Sequence, residues 1–321
     1  MWRRADTDPV DRLAGRSLAV TAQTTLFAPV AVDDPRSKWG SLTQAERDAA
    51  YDNNAAVAES PALIAERNAG SAAYRKKYPA NLDVAYGPRE RNRWDLYPAT
   101  NPNAPCLVFI HGGYWQRNSR EDFAMFMAGL QAHGWAAALP GYSLAPEVKL
   151  ADIVAEISAA LDWLKAEGPG YGIAGPVILA GWSAGAHLTA MALGHPVVLA
   201  GFAMSGVYDL EALRDTKLNQ PLQLTDNEIA TLSPLRLPVV DKSMTIAYGT
   251  AELPTLVNDS RNLHAMRSAA HAPGVLLPVS HANHFNILKQ LADPAGVLTC
   301  AALELARFCG IGETQNRKAV S

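Results

Sequence analysis

The chain has little sulfur, no long apolar stretch and no charge excess. Three cysteines occur in 321 residues, Cys106, Cys300 and Cys309. An odd, small count excludes a disulfide-stapled scaffold and fits a reducing compartment, with Cys106 reading as a small buried hydrophobe. No stretch approaches the ~20 uninterrupted apolar residues that a membrane span needs. The 28 basic and 31 acidic side chains leave a net charge of −3, and no basic run occurs, which argues against nucleic acid as a partner. Trp2-Arg3-Arg4 precedes a moderately apolar segment at 18–32, but Thr21, Gln23, Thr24 and Thr25 interrupt it. It makes a poor secretory core, so a cytoplasmic protein is expected. Internal repeats and low-complexity segments are also missing.

What the chain does have is 49% hydrophobic residues, enough over this length for one large buried sheet, and an alternation of short apolar runs with helical patterns. Cys106-Leu107-Val108-Phe109-Ile110 and Pro176-Val177-Ile178-Leu179-Ala180 are uniformly apolar, as central strands covered on both faces should be. Trp135 to Leu139, the run 199–207, Met244 to Tyr248 and Val275 to Val279 read as further strands. Ser119 reads as the cap of a helix reaching about His133, and Ile153, Val154, Ile157, Leu161 and Leu164 share one face of a helix over 152–166. The pattern predicts an α/β fold with a mostly parallel central sheet and helices on both faces. Residues 1–75 carry helix-like pieces at 44–58 and 61–70 but no strand pattern, and read as an extension packed on the core. The main domain is expected over 76–313, with a tail at 314–321.

Two motifs carry chemistry. Gly181-Trp182-Ser183-Ala184-Gly185 follows an apolar strand and precedes a good helix former, 184–193, so Ser183 sits at a sharp strand-to-helix turn, a nucleophile elbow. His111-Gly112-Gly113-Tyr114-Trp115 ends the earlier strand. Its glycines let the backbone approach a substrate and aim N–H groups at a developing oxyanion, each donor being worth roughly 3–4 kcal/mol in acyl transfer. Gly112, Gly113 and the Tyr114 N–H are the candidates from this loop, and the Ala184 N–H completes the set.

The order of these motifs resembles the α/β-hydrolase superfamily, and the spelling HGGYW with GWSAGAH resembles its kynurenine formamidase and HGG-motif esterase branch over residues 80–310. The usual esterase loop has a third glycine where Tyr114 stands. The resemblance implies the chain order serine, acid, histidine, so the base and its orienting acid lie beyond Ser183. His187, His195, His264, His271, His281 and His284 are the candidates. His187 reads as packing, and His264 and His271 as surface residues of a helix over 256–270. His284 follows the last strand, where this fold returns its histidine, and His284-Phe285 is similar to the His-Phe pair of the branch; His281 is the rival. For the acid, Glu252 lies after the strand 244–248 in a G-x-x-E-x-P setting that related bacterial sequences share. Asp259, inside a helix, reads as a solvated surface residue, and Asp209 as a helix cap or a distant support.

The resemblance implies a serine hydrolase that cleaves a small carboxylic ester through an acyl-enzyme. The alternative is an arylformamidase acting on N-formylkynurenine or a related amide, and a remote alternative is a non-catalytic binding protein. Trp115, Trp182 and Tyr142 are expected to wall the substrate site. The leucine-rich stretch 208–238 reads as a partial lid. Arg117 or Arg120 could meet a substrate charge. No cofactor and no metal are expected, since a His281–His284 pair lacks a third ligand; the partner is a small molecule rather than nucleic acid or membrane, and homodimerisation is left open.

Overall fold

The computed structural model describes residues 34–311. The expectations for the segment 18–32 and for the tail 314–321 lie outside the described residues. Eight strands, β1 (Val84–Ala85), β2 (Arg93–Tyr97), β3 (Cys106–Ile110), β4 (Ala136–Pro140), β5 (Val177–Trp182), β6 (Val198–Met204), β7 (Met244–Gly249) and β8 (Gly274–Val279), form one sheet in the order 1-2-4-3-5-6-7-8. The β1–β2 and β2–β4 pairs are antiparallel and the others parallel.

The two-residue period of the strands divides the core. In β3, Cys106, Val108 and Ile110 point to one face and Leu107 and Phe109 to the other, and all five are fully enclosed. The first face is covered by the helices Leu150–Glu167, Ala184–Ala192 and Pro254–Ala269. The second is covered by Arg120–Met127 and Val297–Phe308. Each such buried Val, Leu, Ile or Phe side chain contributes about 1.5–3 kcal/mol by leaving water.

The sequence reading of one helix from Ser119 to His133 resolves into a 3-10 helix, Arg120–Met127, and a short α-helix, Ala128–Gln131. The buried positions explain the tighter winding: Arg120, Phe123 and Phe126, with Ala124 and Met127, recur every three residues, which is the period of a 3-10 helix. The expected helix over 44–58 likewise divides into Gln44–Ala49 and Asn53–Ala56, because the Asp52 carboxylate accepts the Ala55 N–H and starts a new turn. Helix Ser60–Lys77 is tied to the sheet through Asp95 of β2, whose fully enclosed carboxylate accepts from Arg75 and from Arg120.

Between β5 and the following helix the chain has no room for side chains. A Cβ on Gly181 would lie 2.1 Å from the Gly185 carbonyl oxygen, and one on Gly185 would lie 2.0 Å from that of Ile110. The glycines are therefore required by the crossing of backbone over backbone. Gly185→Ala is expected to lower stability by about 3 kcal/mol or more, because the obstacle is main chain and cannot rotate away. Chemical denaturation measures it, and wild-type stability of the variant would refute the steric argument.

Two histidines are sealed in this architecture. Burial pushes His187 down to about 4 and His111 down to about 3, so both stay neutral in the fold at pH values where an unfolded chain protonates them. The unfolded state then binds more protons, and the stability these sites hold above pH ~6.5 is lost as the pH falls toward their folded values. Stability should drop between pH 7 and pH 5, and His187→Gln should remove about 2 kcal/mol of that drop. Superimposable pH–stability curves for the two proteins would contradict this.

Candidate active site

Ser183 occupies the turn between β5 and helix Ala184–Ala192 with φ 58° and ψ −119°. That left-handed backbone is unusual for a residue with a Cβ and costs roughly 1–3 kcal/mol, held in place by the flanking strand and helix and by the Ser183 N–H bond to the Met204 carbonyl, 2.8 Å. The side chain is thereby lifted off the strand end toward the loop after β8. There the His284 ring lies with Nε2 3.1 Å from the Ser183 Oγ and Nδ1 3.1 Å from Glu252 Oε2. A carboxylate only accepts, so Nδ1 carries the proton and Nε2 is left to accept the serine hydroxyl hydrogen. The side chains of His284 and Glu252 are 4% and 0% exposed, so water does not compete for these bonds.

Glu252 is fixed on its other oxygen. Oε1 accepts the Ser205 hydroxyl at 2.6 Å and the Gly249 N–H at 2.7 Å. Ser205, just past the end of β6, was not singled out by the sequence reading. The signal available was its place before Gly206 at a strand end, next to the strand that carries the acid. Its own φ is 55°, a strained value that turns the hydroxyl toward the carboxylate. His284 is fixed from the serine side, because the Trp182 indole N–H donates to the His284 carbonyl at 2.9 Å and its ring lies 4.6 Å from the imidazole.

The loop after β3 is strained along its length. Gly113 has φ 125°, and Tyr114, Trp115 and Asn118 have φ 52°, 58° and 69°. Only glycine adopts the first value cheaply, and a Cβ there would lie 2.3 Å from the Arg117 carbonyl. Among the described residues, the N–H groups of Gly113, Tyr114 and Ala184 donate to no protein acceptor. Gly113 and Tyr114 line the cavity at Ser183, and Ala184 opens the helix behind it, where the first N–H groups are unpaired by construction. The Gly112 N–H likewise donates to no protein acceptor, but Gly112 does not line the cavity, and a Cβ on it would meet Trp182 and Ser183 within 2.8 Å. The Tyr114 hydroxyl donates to the Tyr51 carbonyl, 2.6 Å, and accepts from Asn53, 3.0 Å, which binds this loop to the segment before β1.

Of the three aromatic residues expected at the substrate site, Trp182 lines the cavity, and Trp115 and Tyr142 do not. Both are fully enclosed in the core. Tyr142 stacks on His111 at 4.2 Å and donates to the His111 carbonyl, 2.8 Å, so it braces the loop from behind. His111 in turn donates from Nδ1 to the Gly112 carbonyl, 2.9 Å. Trp115 packs edge-on against His187. The strained loop and the turn after β4 carry both rings inward, where they pack against buried neighbours.

Other candidates fall elsewhere. His281 is exposed on the loop before His284, and His264 and His271 are outside the cavity. Asp259, expected on the surface, is buried: Arg36 pairs with one oxygen, and the other accepts the Tyr208 N–H at 2.7 Å. The helical phase puts it on the inner face, and Arg36, far away in sequence, supplies the charge partner that spacing could not reveal. Asp209 pairs with Arg236. Arg120 is held by Asp95, away from the cavity, whereas Arg117 lines the rim of the cavity, exposed over the Tyr114 ring. The leucines of 208–238 mostly join the core, and only Leu218 lines the cavity. No cluster of three or more metal-ligating side chains occurs among the described residues, and no described helix is long and apolar enough to cross a membrane.

The sheet order and the strand-to-helix turn at Ser183 define the class: this chain has the α/β-hydrolase fold. Within that class it resembles the kynurenine formamidase and HGG-motif esterase branch. Residues 95–195 match the BD-FAE family. Kynurenine formamidase of Danio rerio is 29% identical over 241 residues, covering 70% of this chain and 81% of that protein. A solved structure from Silicibacter sp. TM1040, provisionally assigned as a thioesterase, superposes with a TM-score of 0.70 at 29% identity over 79% of this chain and 98% of that one. Esterase B of Lactobacillus rhamnosis shares the fold, with a TM-score of 0.61 and 20% identity over 80% of this chain and 99% of that one.

The unforeseen Ser205 hydroxyl gives a test of the site geometry. Ser205→Ala leaves Glu252 Oε1 with one donor and should slow labelling of Ser183 by a fluorophosphonate about tenfold, the worth of one charge-assisted hydrogen bond. Mass mapping of the labelled peptide reads it, and an unchanged labelling rate would show that the Gly249 N–H alone holds the acid.

Proposed function

We propose that this chain is a serine hydrolase that removes a small acyl group, formyl or acetyl, from an aryl amide or aryl ester through an acyl-enzyme on Ser183. The size and lining of the cavity carry this reading. Its volume is about 80 Å3, small beside the ~300–1,000 Å3 of ordinary ligand pockets, and Ser183, His284, Gly113, Tyr114 and Trp182 meet there. A formyl or acetyl group fits such a space, and an aryl group has Trp182 and Phe285 to lie against. The likeness to kynurenine formamidase supports the amide side of the proposal.

In the proposed reaction His284 Nε2 takes the Ser183 proton as Oγ attacks the carbonyl carbon, and Glu252 stabilises the resulting imidazolium. The N–H groups of Gly113, Tyr114 and Ala184 receive the oxyanion. His284 then gives the proton to the departing aryl nitrogen or oxygen, without which an arylamine cannot leave. Water, activated by the same imidazole, releases the acid. A second reading, a carboxylesterase for longer acids, is favoured by a narrow apolar slot beside the cavity, lined by Leu63, Ile64, Met125, Phe126 and Leu288 and sharing Trp182 and Phe285 with it.

Ser183→Ala should lower kcat for phenyl acetate at least about a thousandfold while leaving the fold intact by circular dichroism. Near wild-type turnover by the folded variant would overturn the proposal. Phenyl esters from formate to hexanoate, with formanilide beside them, separate the two readings. A tight acyl site predicts that kcat/KM falls steadily beyond acetate, whereas an apolar slot in use predicts a gain of ~0.8 kcal/mol for each methylene it takes up.

A further inference from the structure

We infer that Arg67 forms an anion-binding subsite of the cavity at Ser183 and selects aryl substrates that carry a carboxylate beside the bond to be cleaved. The inference rests on the reading of Ser183 as nucleophile only for which bond is cut; the anion site itself does not depend on it.

Arg67 lies on the helix Ser60–Lys77, ahead of the first strand, and is 7% exposed. Buried guanidinium groups are ordinarily paired or fully hydrogen-bonded, because an uncompensated charge out of water is costly. The other buried arginines obey this. Arg120 pairs with Asp95 and Asp83, and Arg267 donates to the carbonyls of Val240, Lys242 and Pro273. Arg67 does not. Its Nε donates to Asn68 at 3.0 Å, its Nη2 to Asn118 at 3.3 Å, and its carbon centre stands 4.4 Å from the Phe123 ring centroid. All three partners are neutral, and among the described residues no carboxylate lies within ion-pair reach. Burial pulls its pKa down, only partly opposed by the Asp122 carboxylate beyond ion-pair reach, which leaves charge for a bound anion to compensate.

Arg67 lines both the cavity at Ser183 and the apolar slot beside it, and its Nη1, which has no protein partner, is not fully enclosed. Asn118 links it to the loop after β3, since its Oδ1 accepts from Arg67 and its Nδ2 donates to the Gly112 carbonyl, 3.0 Å. A guanidinium fork matches a carboxylate in two parallel bonds, which a point charge cannot. The other charged groups at the cavity do not compete: Asp52 is paired with Lys217 at 2.8 Å, Asp48 accepts the Lys217 N–H, and Arg117 is exposed to solvent.

The test compares phenyl acetate with its 2-, 3- and 4-carboxy derivatives as kcat/KM ratios, so that general damage to the enzyme cancels. Wild type should prefer one carboxylated isomer, and Arg67→Met should lower that preference by about tenfold to a hundredfold. Arg67→Lys, which keeps the charge and loses the fork, should retain only part of it, and serves if Arg67→Met does not fold. The absence of any carboxylate preference in wild type, or its undiminished survival in either variant, would overturn the inference. Calorimetry on Ser183→Ala separates this from the reaction itself. Benzoate should bind more tightly than benzamide, and Arg67→Met in that background should abolish the difference, whether or not any ester is cleaved; equal binding of the two would also overturn the inference.

Discussion

The close crossing of main chain at the β5 turn is the constraint on which the rest depends. Gly185 touches the Ile110 carbonyl, and Gly181 touches Gly185. This contact fixes how near the helix after Ser183 can come to the sheet, and it couples the serine turn to the end of β3. The loop proposed to receive the oxyanion begins at that same strand end. The hydroxyl and the N–H donors proposed to act with it therefore share one rigid origin. Their mutual spacing follows from backbone packing and owes little to side-chain adjustment, which is how a site can hold geometry to fractions of an ångström.

A second layer corrects the small freedoms that remain. Trp182 holds the His284 carbonyl, Ser205 and Gly249 hold Glu252, and Tyr142 with His111 braces the loop after β3. Each of these residues is enclosed and acts through a neighbour, and Trp182 also lines the cavity. Ser205 carries positive φ, as do Ser183 itself, Tyr114 and Trp115. Strain concentrated in this way is affordable only because the apolar core on both faces of the sheet is large.

The fold was legible wherever a period was strong. The uniform runs of β3 and β5 announced strands buried on both faces, and the stripe of Ile153, Ile157, Leu161 and Leu164 announced a helix. Short or polar elements were not legible: β1 has two residues, and β2 alternates Arg93 and Asp95 into a row whose burial depends on distant partners. The G-x-S-x-G motif marked Ser183, and the family resemblance, with the ends of the last strands, implied Glu252 and His284 as its partners. The surrounding residues could not be read that way. Trp115 and Tyr142 sit beside the motif yet point into the core, and Arg67, Ser205 and Asp259 gain their roles from neighbours 47 or more residues away in sequence. Local pattern reports which face of an element is apolar; it does not report what a polar side chain will find across the fold.

The Trp182–His284 bond joins residues 102 positions apart, and Ser183 meets His284 across 101. In terms of contact order, the site is a non-local feature of the chain, and β6, β7 and β8 must all be in register before it closes. A ribosome delivers the serine long before the histidine. Until the last strand is laid down, Ser183 has no imidazole against it and behaves as an ordinary alcohol, so the nascent chain carries its proposed nucleophile in an unreactive form and becomes chemically competent only when the sheet is complete.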